Sequence, residues 1–89
     1  MTAQRVELIR DKLSTTLETD EITVLDEGHK HVGHAGAKTG LGHFAVTVRS
    51  AHFDGLSMLD RHRLVYESLG SLMQTDIHAL SIRAVAGNE

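Results

Sequence analysis

Apolar positions at the start of the chain fall at helical intervals: Val6, Ile9, Leu13 and Leu17 recur every three or four residues, with Arg5, Glu7, Arg10, Asp11 and Lys12 largely between them. This pattern predicts an amphipathic helix from Thr2 to about Leu17. The period then changes. Asp20-Glu-Ile-Thr-Val-Leu-Asp26 is short and β-branched, which predicts a strand ended by Gly28. After a glycine-rich stretch to about Gly42, His43-Phe-Ala-Val-Thr-Val-Arg-Ser50 alternates. Phe44, Val46 and Val48 take one face and Ala45, Thr47 and Arg49 the other, as in a half-buried strand.

Ser57-Met-Leu-Asp60 has the form of a capping box, with the Ser oxygen accepting from an early helical N–H and the acid favouring the positive helix end. A second helix is predicted from there, with its apolar stripe on Met58/Leu59, His62, Val65/Tyr66, Leu69 and Leu72/Met73, until Thr75-Asp76 breaks it. Ile77 to Val85 predicts a last strand with His78, Leu80, Ile82 and Ala84 on one side. Gly87-Asn-Glu89 is a polar tail expected to fray.

The order is helix, strand, strand, helix, strand. Strand one pairs most simply with strand two. A strand, helix and strand in series form a right-handed crossover when parallel, so the last strand is expected parallel to the second, with both helices on one face. The class is α+β, a three-stranded mixed sheet in one domain over residues 1–89, with its core at about 5–85 and a histidine-rich loop at 28–42. A connection of about fifteen residues between the first two strands is long for a hairpin, and such loops are usually functional or mobile.

Composition sharpens the chemistry. Of the 89 residues seven are histidine and none is cysteine, and His29, His31, His34 and His43 fall within Gly28–His43. Imidazole is the commonest protein metal ligand and titrates near neutral pH. Without cysteine, disulfides, zinc fingers, a self-contained thiolate-held iron-sulfur site and cysteine nucleophiles are excluded, so any sulfur ligand must come from a partner. A chain of this size buries roughly 60–65% of its unfolded surface, enough for one modest core. No apolar run approaches the roughly 20 residues that span a bilayer, and the start lacks a signal-peptide core, so the reading is cytoplasmic with no membrane partner. A formal charge of −3 argues against non-specific polyanion binding but leaves room for a local basic patch.

Several constellations compete. His29-x-His31-x-x-His34 offers imidazoles to a metal, as a histidine-loop metal buffer would, but structural zinc sites want four ligands in a defined frame. Gly33-His-Ala-Gly36 is literally G-x-x-G, but it lies between strands, whereas the nucleic-acid clamp of KH domains joins two helices. Arg61 and Arg63 can grip phosphate or carboxylates; in the plainer reading both are solvated and His62 sits in the core stripe with a ring nitrogen bonded to backbone. His78 opens the last strand, where its ring can pack a flank and point one nitrogen outward. His43 and His52 flank strand ends without a further chemical argument. Asp26, Glu27 and Asp54 are candidates to polarise a histidine, yet no nucleophile context and no paired carboxylates assemble an enzyme.

Gly33-His-Ala-Gly36, His43-Phe44, Phe53-Asp-Gly55, Arg61-His-Arg-Leu-Val-Tyr66 and Ile77-His-Ala-Leu80, in this order and spacing over about residues 5 to 85, resemble the BolA family, its bacterial and mitochondrial BolA1-like members in particular. The resemblance implies an α-β-β-α-β fold related to class II KH domains. It also implies a non-enzymatic role: pairing with a monothiol glutaredoxin and sharing or receiving a 2Fe-2S cluster, in iron-sulfur assembly or iron regulation. The glutaredoxin and glutathione would supply thiolates and this chain imidazole. The chain alone would be a cofactor-free monomer, and the complex a heterodimer.

Carried over residue by residue, the family's C-terminal ligand falls on His78 and its loop ligand on His34, with His29 and His31 as substitutes. Both must be neutral to bind, so assembly should weaken as pH falls through their titration. Imidazole in place of thiolate tends to raise a cluster's potential. Bacterial relatives are also described as DNA-binding transcriptional regulators, which would give Arg61, Arg63 and Lys38 phosphate contacts. Relatives often carry a Val-Pro-Pro-Gly-like turn where this chain has Ala35-Gly-Ala-Lys-Thr-Gly40, which predicts a looser unbound loop.

Overall fold

A computed structural model describes residues 2–27 and 42–89. The expectations placed on His29, His31, His34 and Lys38 lie outside the described residues. Helix α1 spans Thr2–Leu17, and its helical stripe buries Ile9, Leu13 and Leu17. Each such side chain removed from water contributes roughly 2 kcal/mol. The helix stops at Glu18, which takes a left-handed φ of 53° and turns the chain into strand β1, Ile22–Asp26.

Strand β2, Gly42–Ser50, pairs antiparallel with β1, setting Ile22 against Val48, Val24 against Val46 and Asp26 against Phe44. Ser50 is buried and fastens this layer: its Oγ donates to Leu17 O at 2.7 Å and accepts from His52 N at 3.1 Å. A short 3-10 turn, Ala51–Phe53, follows and buries Phe53.

Helix α2 spans Met58–Leu69 and starts on the predicted cap, Ser57 Oγ accepting from Asp60 N at 3.1 Å. It ends earlier than the pattern suggested. Gly70, at φ +54°, breaks it, and a separate turn, α3 (Leu72–Thr75), leads into strand β3, Ile77–Ala86. The buried face of α2 is also rotated by about one residue from the expected stripe. Arg61, Val65, Ser68 and Leu69 are buried, whereas Met58, Leu59 and Tyr66 are exposed. A long arginine stem can line a core as well as an aliphatic residue, which a hydropathy pattern does not register.

The sheet order is β1-β2-β3 with β3 parallel to β2, the mixed topology expected. Phe44, Val46 and Val48 are buried, and in register with them Leu80, Ile82 and Ala84 pack into or against the same core as Ile9, Leu13, Val65 and Leu69. The helices cover this face; Thr23, Leu25, Thr47, Ser81 and Arg83 on the other are exposed.

Candidate functional site at the entry of the parallel strands

Three chain segments meet at one end of the sheet. Glu27 N donates to His43 O at 2.7 Å as the chain leaves β1, and Gly42 N donates to Asp76 O at 3.0 Å where it returns. Both flanks of the histidine-rich stretch are therefore fixed beside the first residues of β2 and β3. Gly42 is required there by space, since a Cβ on it would lie 2.5 Å from Phe44 Cε2.

The register between β2 and β3 slips at this point: Gly42 faces Ile77, but His43 faces Ala79. The slip breaks the expected alternation. Ile77 is buried and His78 exposed, so His78 does not share the environment of Leu80 and Ala84. Its ring lies against His43, with centres 5.0 Å apart and planes inclined by 49°. His43 was the member of this pair that the residue pattern left without a role. The signal was available, because two parallel strands that begin together place their first side chains side by side.

Among the described residues no group of three His, Asp or Glu side chains converges as a metal would require. His52 stands apart, its Nε2 2.9 Å from Glu18 Oε1, so its acidic partner is not one of the three anticipated. Asp54 instead accepts from Gly87 N at 2.7 Å. His62 Nε2 is buried with no hydrogen-bond partner among the described residues, and the backbone bond expected for that ring is not made.

The two arginines of α2 part company. Arg61 is 9% exposed and its guanidinium is spent inside: Nε donates to Leu56 O at 3.0 Å, Nη1 to Ala84 O at 3.1 Å, and the fork grips the Glu89 carboxylate. The expectation of a solvated Arg61 is overturned, and four of its N–H donations go to groups of the protein itself. Arg63 is 66% exposed and lies 3.7 Å from Asp60 Oδ1, a surface pair of little energetic weight. The expected frayed tail is likewise corrected, because Glu89 also accepts from Ala86 N at 3.0 Å and its main-chain oxygen accepts from Arg49 Nη1. The Arg61 hydrogen bond, assisted by that from Ala86, holds the Glu89 carboxyl below its ordinary pKa.

Among the described residues no helix is long and apolar enough to cross a membrane. The family model for BolA-like proteins matches residues 13–89. The chloroplast protein BOLA1 of Arabidopsis thaliana is 41% identical over 81 residues, which are 88% of this chain and 51% of that protein. The DNA-binding transcriptional regulator BolA of Escherichia coli is 34% identical over 76 residues, 85% of this chain and 70% of that protein. The solved BolA domain of SufE1 from Arabidopsis thaliana superposes with a TM-score of 0.82 at 37% identity, covering 94% of this chain and 93% of that one. The chain spans about half the length of Arabidopsis BOLA1 and of the mouse BolA-like protein 1 that it matches. Sequence, topology and the placement of its motifs converge: the chain belongs to the BolA family.

Proposed function

We propose that this chain is a non-enzymatic partner of a monothiol glutaredoxin that shares or receives a glutathione-ligated 2Fe-2S cluster through His78 and His34. The observation that carries the reading is the position of His78, exposed at the sheet end where the histidine-rich stretch leaves and returns. His34 stands seven residues from Glu27 and eight from Gly42, and an extended chain of that length reaches about 25 Å, which includes His78. A cysteine-free chain offers imidazole only, so thiolates must come from the glutaredoxin and glutathione. His29 and His31 are the substitute donors.

The test is a titration of cluster-loaded monothiol glutaredoxin and glutathione with the purified chain, followed by visible circular dichroism. A new spectrum saturating near one-to-one is expected, and the His34→Ala, His78→Ala double variant should abolish it. An unchanged spectrum with the parent chain, or an unchanged complex with the double variant, defeats the proposal.

A DNA-binding regulator is the second reading, favoured by the name of the Escherichia coli relative and by the exposure of Arg63. It predicts salt-sensitive DNA binding weakened by Arg63→Ala and Lys38→Ala. No retardation of DNA at low salt would dispose of it.

A further inference from the structure

The outer edge of β3 is half covered and half bare. Glu27 N donates to His43 O and Arg49 N to Glu21 O, so the odd-numbered residues of β2 turn their backbone groups to β1 and the even-numbered ones to β3. Parallel pairing from Phe44 with Leu80 to Val48 with Ala84 then turns the odd-numbered residues of β3 inward and the even-numbered ones to the free edge. The bonds of the Arg61–Glu89 pair agree: Ala84 O and Ala86 N lie on that outer side, where they meet Arg61 and Glu89. The ion pair therefore closes the edge from Ala84 onward. Leu80 and Ile82 present two N–H donors and two C=O acceptors that find no partner among the described residues.

An apolar helix flank overlooks the bare half. Helix α1 packs on β1 and α2 on β3. Ser68 lines a groove with Leu8, Asp11, Lys12 and Thr15 of α1, so the flank of α2 carrying Leu59, His62 and Tyr66, a third to a half of a turn from Ser68, faces away from α1 and over the edge of β3. Leu59 and Tyr66 are exposed there. Arg61 ties its end of α2 to Ala84, and the helix runs opposite to β3. Five residues along the helix, about 7.5 Å, Tyr66 stands level with Ile82, which is about 6.6 Å along the strand from Ala84. Arg83, on the opposite face of β3, is exposed and has no ion-pair partner among the described residues.

We propose that this edge and flank form a docking groove for an extended segment of a partner protein whose apolar side chains alternate with acidic ones. The segment continues the sheet through the backbone groups of Leu80 and Ile82, its apolar side chains pack beneath Tyr66, and its acidic ones, on the other face, meet Arg83. A second copy of this chain fits poorly. Strands pair about 4.8 Å apart whereas packed helices keep about 8–10 Å between axes, so the α2 of a copy joined through β3 collides with this one. A nucleic-acid strand needs a basic groove, which a chain of net charge −3 with an apolar helix flank does not supply. The inference is independent of the glutaredoxin proposal, because neither His78 nor the histidine-rich stretch contributes a contact.

The test follows amide ¹H–¹⁵N and aromatic ¹H–¹³C spectra of the full chain as an N-acetylated, C-amidated heptapeptide of alternating valine and glutamate is added to about 1 mM. The amides of Leu80 and Ile82 and the ring of Tyr66 should shift together and saturate at one peptide per chain, with Ala86 moving less. Hydrogen exchange at Leu80 and Ile82 should slow. Arg83→Glu, an exposed change that should leave the unfolding midpoint in place, should weaken the glutamate peptide about fivefold or more and favour a valine–lysine peptide instead. Unmoved Leu80 and Ile82 amides, or equal binding of the two peptides by the parent chain, overturn the proposal. So does a shift of the same amides with a thymine heptanucleotide in place of the peptide, which assigns the groove to nucleic acid, or on concentrating the chain alone, which assigns it to a second copy.

Discussion

Arg61 and Glu89, 28 residues apart in sequence, meet as a two-pronged ion pair, with Nη1 3.0 Å from Oε1 and Nη2 3.2 Å from Oε2. The same guanidinium satisfies Leu56 O and Ala84 O, so it joins the approach to α2, strand β3 and the polar tail at one point. Removing it leaves the Leu56 and Ala84 carbonyls without this donor, while the half-exposed Glu89 carboxylate returns to water. Arg61→Ala should lower the unfolding free energy by about 2 kcal/mol, mainly through the two unpaired carbonyls, measured by urea denaturation. Arg61→Lys should recover little of this, because an ammonium cannot reproduce the fork.

The carboxylate side of the pair gives a pH dependence with a defined sign. Glu89 has its pKa depressed in the folded state, first by the Arg61 hydrogen bond and then by that from Ala86 N. Its stabilising contribution is fully present above the ordinary glutamate range and is lost as pH falls through the depressed folded value. Urea midpoints of the parent and Glu89→Gln should differ at neutral pH and converge in that acidic window. A gap of constant size at every pH would show that the carboxylate's charge is not the source.

Ser50 makes a second cross-link, between the end of β2 and the last carbonyl of α1. With Oγ bonded to Leu17 O and His52 N in a buried position, Ser50→Ala leaves one acceptor and one donor unmet. The expected cost is about 1.5 kcal/mol in thermal or urea unfolding. Leu17 N and neighbouring amides in the last turn of α1 should lose hydrogen-exchange protection more than those of α2.

Much of this architecture was legible in the sequence, for reasons that individual residues make plain. Val6, Ile9, Leu13 and Leu17 have no competing period, and Phe44, Val46 and Val48 alternate without interruption, so α1 and β2 follow from local pattern. Ser57 and Asp60 mark the start of α2 because capping is a local interaction. The failures are tertiary. Arg61 reads as polar in any pattern, and only the carbonyl of Ala84 and the carboxylate of Glu89 make it a core residue. Gly70 sits inside an apparently continuous stripe, yet its positive φ ends the helix before Leu72. The slip between Gly42 and His43 against Ile77 and Ala79 depends on the partner strand, so alternation alone put His78 with Leu80. That same slip turns His78 outward toward His43, which is how a residue patterned like a core histidine becomes an exposed one.

Gly42 and His78 lie at the same end of the sheet and should respond in opposite ways to substitution. A methyl group at residue 42 meets the Phe44 ring, which is 2% exposed and packed within the core. Gly42→Ala should therefore cost about 2 kcal/mol of stability through overpacking, and more if the β2–β3 pairing at Ile77 opens. His78 is exposed and makes no hydrogen bond on which the described fold depends, so His78→Ala should change unfolding free energy by less than about 0.5 kcal/mol. The same His78→Ala chain should fail to alter the visible circular dichroism of cluster-loaded glutaredoxin, while Gly42→Ala, kept folded at low temperature, should retain a partial response. Equal losses of stability in the two variants would place His78 in the scaffold rather than at a ligand position. Unfolding curves recorded beside the cluster titration separate the two roles.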